Sequence, residues 1–272
     1  MKIITWNVNS VRTRLERISG LLAREAPDAL CLQEIKVTED DFPREPFEEA
    51  GYTCFVNGQK TYNGVAILLR AETLARIPGG EDKARAGLQR GFPGDPAQHQ
   101  ARVLSLMLGD LRLINVYVVN GKEVGHEYYD LKLRWLDALR SWIAGLLDSD
   151  EELVLCGDFN IAPEKRDVHD PEKWSDRVLC SEPERERFTA IQELGLLDLH
   201  RVCTRDDGVF TWWDYRQGSF ARNWGLRIDL FLGNPSVANR VESVRVDRDE
   251  RKKTSGPGKP SDHAPVILKL CK

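Results

Sequence analysis

The alternation of apolar and polar positions divides the chain into many short strands and a few helices. KIITWNV (2–8) reads as a strand. Val11 to Ala26 then carries Val11, Leu15, Ile18, Leu21 and Leu22 at helical spacing, and Pro27 closes that helix. DALCLQE (28–34) predicts a second, buried strand. YTCFVNG (52–58), GVAILLR (64–70), RVLSLML (102–108) and LRLINVYVV (111–119) predict four more, the last two joined through the tight-turn pair Gly109-Asp110. Tyr128 to Leu147 carries the strongest helical signal, because Leu131, Trp135, Leu139, Trp142 and Leu146 recur every three or four residues.

Beyond that helix, ELVLCGDFN (152–160) returns to a strand ending at Gly157, and a helix is expected near Glu184 to Leu194. VFTWWDY (209–215), RIDLFLG (227–233), VESVRVD (241–247) and APVILKL (264–270) supply the final strands. No internal repeat or linker-like stretch interrupts the series, so one domain over 1–272 is expected. Short strands with few helices predict an α/β fold in which two packed sheets carry helices outside. Such an architecture gathers strand ends and loops at one rim.

Composition sharpens this picture at three points. A chain with 41% hydrophobic and 30% charged residues can bury a sizeable core. Its N-terminus lacks the apolar run of a signal peptide, and the longest apolar runs fall short of the ~20 residues of a membrane helix, which predicts a soluble, cytoplasmic protein. Six cysteines without a CxxC pair suggest reduced thiols and no zinc cluster. A net charge of −4 argues against nonspecific polyanion binding, so charge distribution must decide. The basic stretches RQGSFARNWGLR (216–227) and RDERKKTSGPGK (248–259) read equally well as solvated surface loops.

Candidate chemistry lies where strands end. ITWNVN, LCLQE, VLCGDFN and PSDHAPV each place acids or amides directly after or before apolar strand residues. A carboxylate there is costly unless it is solvated, hydrogen-bonded or metal-bound. Any one of them alone reads as an ordinary exposed or capping residue. Four together match what phosphoryl chemistry needs, namely hard oxygen ligands for a divalent metal, a base and a positive donor. Asp158 and Asn160 lie two apart, so on an extended segment they point the same way, although an Asx-turn is the plain alternative.

ITWNVNSVR (4–12), LQEIKV (32–37), YNGVAIL (62–68), INVYVVNG (114–121), LCGDFNIAP (155–163), DLH (198–200), FTWWDYR (210–216), NWGLRIDLFL (223–232) and PSDHAPV (260–266) occur in an order and spacing that resembles the exonuclease III family. GDFN or SDH alone would be weak evidence; the ordered set is specific. The resemblance implies a four-layer α/β sandwich requiring Mg²⁺, with Mn²⁺ as a substitute. It also implies cleavage of double-stranded DNA 5′ to abasic sites and trimming of DNA 3′ ends by exonuclease and phosphatase action, within base excision repair. A monomer is the default expectation.

The same resemblance implies the residue roles. Glu34 is the leading metal ligand, with Asn7 beside it, and the shell draws further on Asp158, Asn160, Asp262 and His263. Asp158 serves as general base and Asn160 positions the water. Asp229 lies inside apolar RIDLFL, where an acid needs a partner, and an Asp229–His263 pair would favour the protonated imidazole. Tyr117 donates its hydroxyl to the phosphate or the leaving oxygen. Arg12 and Asn120 contact phosphates, and Trp212, Leu226 and Ile228 form an apolar pocket for an extruded abasic sugar. For Leu226 and Ile228 core packing is a serious rival, and for Trp212 the two readings stand nearly even. Asn9 stands where some relatives carry Asp, Val119 replaces a commoner Pro and Tyr128 a commoner Lys. A phosphoesterase of the same superfamily acting on inositol phosphates or lipid headgroups is the rival enzyme, and a DNA-end-binding or protein-binding module with a dead site is the non-enzymatic alternative.

Overall fold

The computed structural model describes residues 1–149 and 151–271. Its strands, in chain order, are β1 (Lys2–Asn7), β2 (Ala29–Gln33), β3 (Tyr52–Asn57), β4 (Val65–Arg70), β5 (Gln89–Arg90) and β6 (Val103–Leu108), then β7 (Leu111–Tyr117), β8 (Glu152–Asp158), β9 (Leu197–Asp198), β10 (Asp229–Gly233), β11 (Val241–Val246) and β12 (Val266–Leu270). They form two six-stranded sheets, ordered β11-β12-β1-β2-β4-β3 and β5-β6-β7-β8-β10-β9. Each sheet is mixed: β1 and β2 run parallel in the first, and β7 and β8 in the second.

The sheets pack face to face through Ile3, Cys31, Ile67, Leu106, Leu113, Val154, Cys156 and Phe231. Their opposite faces are buried as well. Ile4, Trp6, Leu30 and Leu32 meet Ile18, Leu21 and Leu22 of the Leu15–Glu25 helix. Leu153, Leu155, Leu230 and Leu232 meet Trp135, Leu136, Leu139 and Ile143 of the Glu127–Leu147 helix, and Phe188 and Ile191 of the Glu182–Gln192 helix. Helix, sheet, sheet and helix make the four expected layers. Strands covered on both faces must be apolar at consecutive positions, which explains why β2 and β8 read as continuous runs. Each fully buried Leu, Ile or Val contributes roughly 1.5–3 kcal/mol by leaving water.

One polar seam crosses the inter-sheet core. Gln33 Nε2 donates to Thr5 Oγ1 at 2.8 Å and to Asn115 Oδ1 at 2.7 Å, and Asn115 Nδ2 donates to the backbone oxygens of Leu32 and Ala66. These bonds tie β2 of one sheet to β7 of the other immediately beneath the rim. A shear of one sheet over the other would strand buried amides, at about 1–3 kcal/mol each.

Four expectations need correction. The first helix begins at Leu15, not Val11, because the amide of Val11 is committed to Ile35 O at 3.2 Å. Strand β8 continues through Gly157 to Asp158. A Cβ at Gly157 would lie 1.9 Å from Val116 O, so only glycine lets the two strands approach there. VFTWWDY is not a strand, since the amides of Thr211 and Trp212 both turn to Leu226 O while that of Trp213 turns to Asp262 O. Its pairing is divided between two segments and leaves only isolated bridges from Trp212 to Leu226 and His263. In the Glu127–Leu147 helix the buried stripe is Tyr129, Lys132, Trp135, Leu136, Leu139 and Ile143, rotated from the expected one so that it includes a lysine. No helix among the described residues is long and apolar enough to cross a membrane.

Candidate active site

Strand register builds the site. Tyr117 is the Cα partner of Asp158, and Asp158 is the partner of Asp229, so three neighbouring strands present these side chains at one level. In the other sheet Asn7 pairs with Gln33, and Glu34 follows immediately. Glu34 adopts φ +51 and Asn160 φ +50, in the left-handed region that costs non-glycine residues roughly 1–3 kcal/mol. Glu34 is held there by hydrogen bonds on both sides, from Ser10 N to Glu34 O at 2.7 Å and from Ile35 N to Gly64 O at 3.1 Å.

At the rim itself a further amide joins the two sheets. Asn7 Nδ2 donates to Glu34 Oε1 and to Asp158 Oδ2, both at 2.8 Å. His263 Nδ1 lies 2.9 Å from Asp229 Oδ2, and its Nε2 lies 3.8 Å from Asp158 Oδ2. Burial alone would lower the imidazole pKa, but the carboxylates of Asp229 and Asp158 push it up to about 10, so the ring is a cation at neutral pH. Burial pushes Asp158 up to about 7, opposed by the His263 charge. Tyr117 is held well above its ordinary value by burial and by Glu34, which keeps the phenol a donor.

Around this centre, Asn160 N donates to Asp158 Oδ1 at 2.9 Å, and Asn120 Nδ2 donates to Asn160 Oδ1 at 2.9 Å. Asp262 accepts from Asn9 Nδ2 at 2.9 Å and from Trp212 Nε1 at 3.1 Å. Its pKa is lowered, since the His263 charge and these donors outweigh the effect of burial. Lys36 Nζ reaches Glu34 Oε2 at 2.8 Å and Asn9 Oδ1 at 2.5 Å.

The donor set fits a hard divalent cation. Ligand atoms of Glu34, Asp158 and His263 lie within 4.8 Å of one another, although His263 while protonated leaves the oxygens of Glu34 and Asp158 to take the ion. Glu34, Asp158, Asp229 and Asp262 gather four acidic groups at one rim, with Lys36 and protonated His263 in direct contact with them. Carboxylate and amide oxygens are the ligands such an ion takes.

The remaining candidates separate. Arg12 points away to the Asp41 carboxylate at 3.0 Å and is exposed. Leu226 and Ile228 are fully buried in an apolar cluster with Val168 and Leu179, and half-buried Trp212 packs edge-on to Trp174 at 6.5 Å between centroids. Core packing therefore describes Leu226 and Ile228 as they stand. The basic stretch 216–227 is not wholly surface either, for Arg227 is buried, donating at 2.7 Å both to Asp167 Oδ1 and to Asp198 Oδ2.

Several contributors escaped the sequence reading. Lys132 and Glu184 form a fully buried ion pair beside Asn160. Arg102 lies over the Tyr117 ring at 4.8 Å and donates to Tyr117 O at 3.1 Å. Thr211 Oγ1 accepts from the amides of Ile228 and Asp229, fixing the start of β10. The available signal was a lysine three residues before Trp135, on the face that Trp135 and Leu139 define.

Comparison with known proteins agrees with this geometry. Residues 4–263 match the model of the endonuclease/exonuclease/phosphatase family. Exodeoxyribonuclease III of Haemophilus influenzae is 33% identical, with 98% of each chain covered. A 3′ phosphatase of Neisseria, solved bound to a product DNA hairpin, superposes with a TM-score of 0.91 at 40% identity over the whole of both chains. An AP endonuclease of Archaeoglobus fulgidus gives a TM-score of 0.89 at 33% identity over 99% of each. With its two mixed sheets and the Asn7, Glu34, Asp158, Asp229 and His263 cluster at their common rim, the chain belongs to the endonuclease/exonuclease/phosphatase family, in its exodeoxyribonuclease III group.

Proposed function

We propose that this chain is a DNA phosphoesterase, one catalytic domain over 1–272, which cleaves 5′ to abasic sites and processes DNA 3′ ends with Mg²⁺ or Mn²⁺. The observation that carries the reading is the register of Tyr117, Asp158 and Asp229 under the His263 cation, opposite Asn7 and Glu34 of the other sheet. All three reactions implied by the relatives break the same bond, between phosphorus and a 3′ oxygen. One site therefore serves incision, exonuclease and 3′-phosphatase action.

Asp158 accepts the proton of a water that Asn160 orients, and the water oxygen bonds to phosphorus as the 3′ oxygen departs. His263, charged and fixed by Asp229, donates to a phosphate oxygen as negative charge builds on it. Tyr117, kept protonated by burial and by Glu34, hydrogen-bonds through its hydroxyl to the departing oxygen, which takes its proton from water as it leaves. Glu34, Asp158 and Asn7 would hold the metal, with Asn160 and Asp262 beside them and His263, protonated, outside its shell; when bound, the ion would supply Lewis-acid polarisation of the phosphate. Asn120 and Arg12 contact flanking phosphates, Arg12 after leaving Asp41.

The closed cluster of Leu226, Ile228, Trp212 and Trp174 bears on substrate order. An extruded sugar enters it only if Trp212 and Trp174 part, whereas a frayed 3′ end needs no such opening. A gel assay with labelled duplexes bearing one abasic site, a 3′ phosphate or a recessed 3′ hydroxyl tests this, beside an inositol-phosphate panel. We expect cleavage of all three DNAs, abolished by chelator and restored by Mg²⁺ or Mn²⁺, with 3′-phosphate removal fastest. Turnover of inositol phosphates without any DNA cleavage would overturn the proposal.

A further inference from the structure

The geometry points to the buried Lys132–Glu184 ion pair as the positioning device of the active site, fixing two asparagines, Asn160, which orients the water, and Asn120, which contacts a flanking phosphate. The inference rests on the function proposed above and goes beyond it, because neither residue reaches the reacting atoms.

Lys132 and Glu184 have fully buried side chains. An ion pair taken wholly out of water loses about as much in desolvation as it regains in attraction, so by itself it is weak evidence of a stability role. What the ammonium touches is more informative. Lys132 Nζ donates to Asn160 O at 2.6 Å, to Asn120 O at 3.3 Å and to Glu184 Oε1. Three donor hydrogens thus meet three acceptors, two of them backbone carbonyls of the loops that follow β8 and β7. Those same two residues are joined through their side chains, Asn120 Nδ2 to Asn160 Oδ1 at 2.9 Å. Asn160 Nδ2 in turn donates to Val118 O at 3.0 Å, and its amide N–H to Asp158 Oδ1.

Glu184 anchors the other end. It accepts from Leu179 N at 3.0 Å, from Ser181 N at 3.1 Å and from Ser181 Oγ at 2.5 Å, in the capping box of the Glu182–Gln192 helix. The pair therefore bolts the loops bearing Asn120 and Asn160 to two outer-layer helices, the Glu127–Leu147 helix that carries Lys132 and the helix that Glu184 caps. Asn160 sits at φ +50, a left-handed turn that asparagine tolerates, and the Lys132 ammonium on its carbonyl fixes which way that turn is presented. A displacement near 1 Å in groups that orient a nucleophile costs on the order of 10²-fold in rate.

The test uses two variants. Lys132→Met leaves Glu184 buried without its cation and should be destabilised. Lys132→Met combined with Glu184→Gln removes both charges, while the introduced amide oxygen can still accept from Ser181, and should recover most of the lost melting temperature. On 3′-phosphorylated DNA with saturating Mg²⁺, the double variant should show kcat reduced about 10- to 100-fold with KM within about threefold of the parent. A double variant that melts like the parent and keeps its kcat overturns the inference. So does one whose kcat recovers in step with its melting temperature across both variants, since a purely structural pair predicts that. If the parent itself does not act on DNA, the functional reading fails instead.

Discussion

Arg227 offers a quantitative test of how the start of β10 is held. Its guanidinium is buried between two carboxylates, donating to Asp167 through Nε at 2.7 Å and Nη2 at 3.2 Å, and to Asp198 through Nη2 at 2.7 Å. Arg201 also pairs with Asp167, so Arg227→Met leaves Asp167 one cation and Asp198 none. Removing one partner of a buried pair typically costs roughly 3–5 kcal/mol, because an uncompensated charge stays in the interior. At about 2.1 cal/mol/K per residue, unfolding 272 residues carries an entropy of roughly 0.6 kcal/mol/K, so the melting temperature should drop by about 5–9 °C at pH 7.5. Burial alone would raise the Asp167 pKa, but Arg227 and Arg201 hold it below its ordinary value. A depressed carboxylate contributes stability above its unfolded pKa of about 3.9, and that contribution fades as pH falls through the lower folded value. The gap between parent and variant should therefore be full at pH 7.5 and narrow below about pH 4. Thermal melts of both proteins at the two pH values decide the matter. A drop below about 2 °C at pH 7.5, the scale of an exposed pair, or an equal drop at both pH values would refute the reasoning.

Two further substitutions bear on the chemistry. Glu34→Gln should leave the melting temperature nearly unchanged and lower activity at limiting Mg²⁺ by more than about tenfold, with partial recovery at high Mg²⁺ or Mn²⁺; a metal titration curve that does not move would remove Glu34 from the metal site. Asp229→Asn and His263→Asn should each lower kcat by roughly 10²-fold or more, yet together scarcely exceed the worse single change, since they disable one unit; multiplied losses in a double-mutant cycle would show independent action.

The sequence made the layers and most of the rim legible for a physical reason. Strands buried on both faces leave uninterrupted apolar runs, and polar residues that terminate those runs, such as Glu34, Asp158 and Asn160, stand out against them. Legibility failed where a residue's surroundings come from distant segments. VFTWWDY has the aromatic density of a strand, but its partners are split between Leu226 and Asp262, which no local pattern encodes. Arg227 read as part of a basic surface stretch because the carboxylates that bury it lie at positions 167 and 198. Lys132 stood out only as a lysine on an apolar helical face; the partner that makes it tolerable there, Glu184, lies 52 residues further along the chain.

Because Asn7 and Glu34 belong to one sheet and Asp158, Asp229 and Tyr117 to the other, the site behaves like the tips of a pair of callipers whose hinge is the core between the sheets. Sheets facing each other are spaced by about 10 Å, and that gap is set by how side chains such as Cys31 and Cys156 interdigitate. A methylene added or lost there would load the Asn7–Asp158 hydrogen bond that bridges the tips and the Gln33–Asn115 bond beneath them. Turnover is consequently a more sensitive gauge of core packing than secondary structure is.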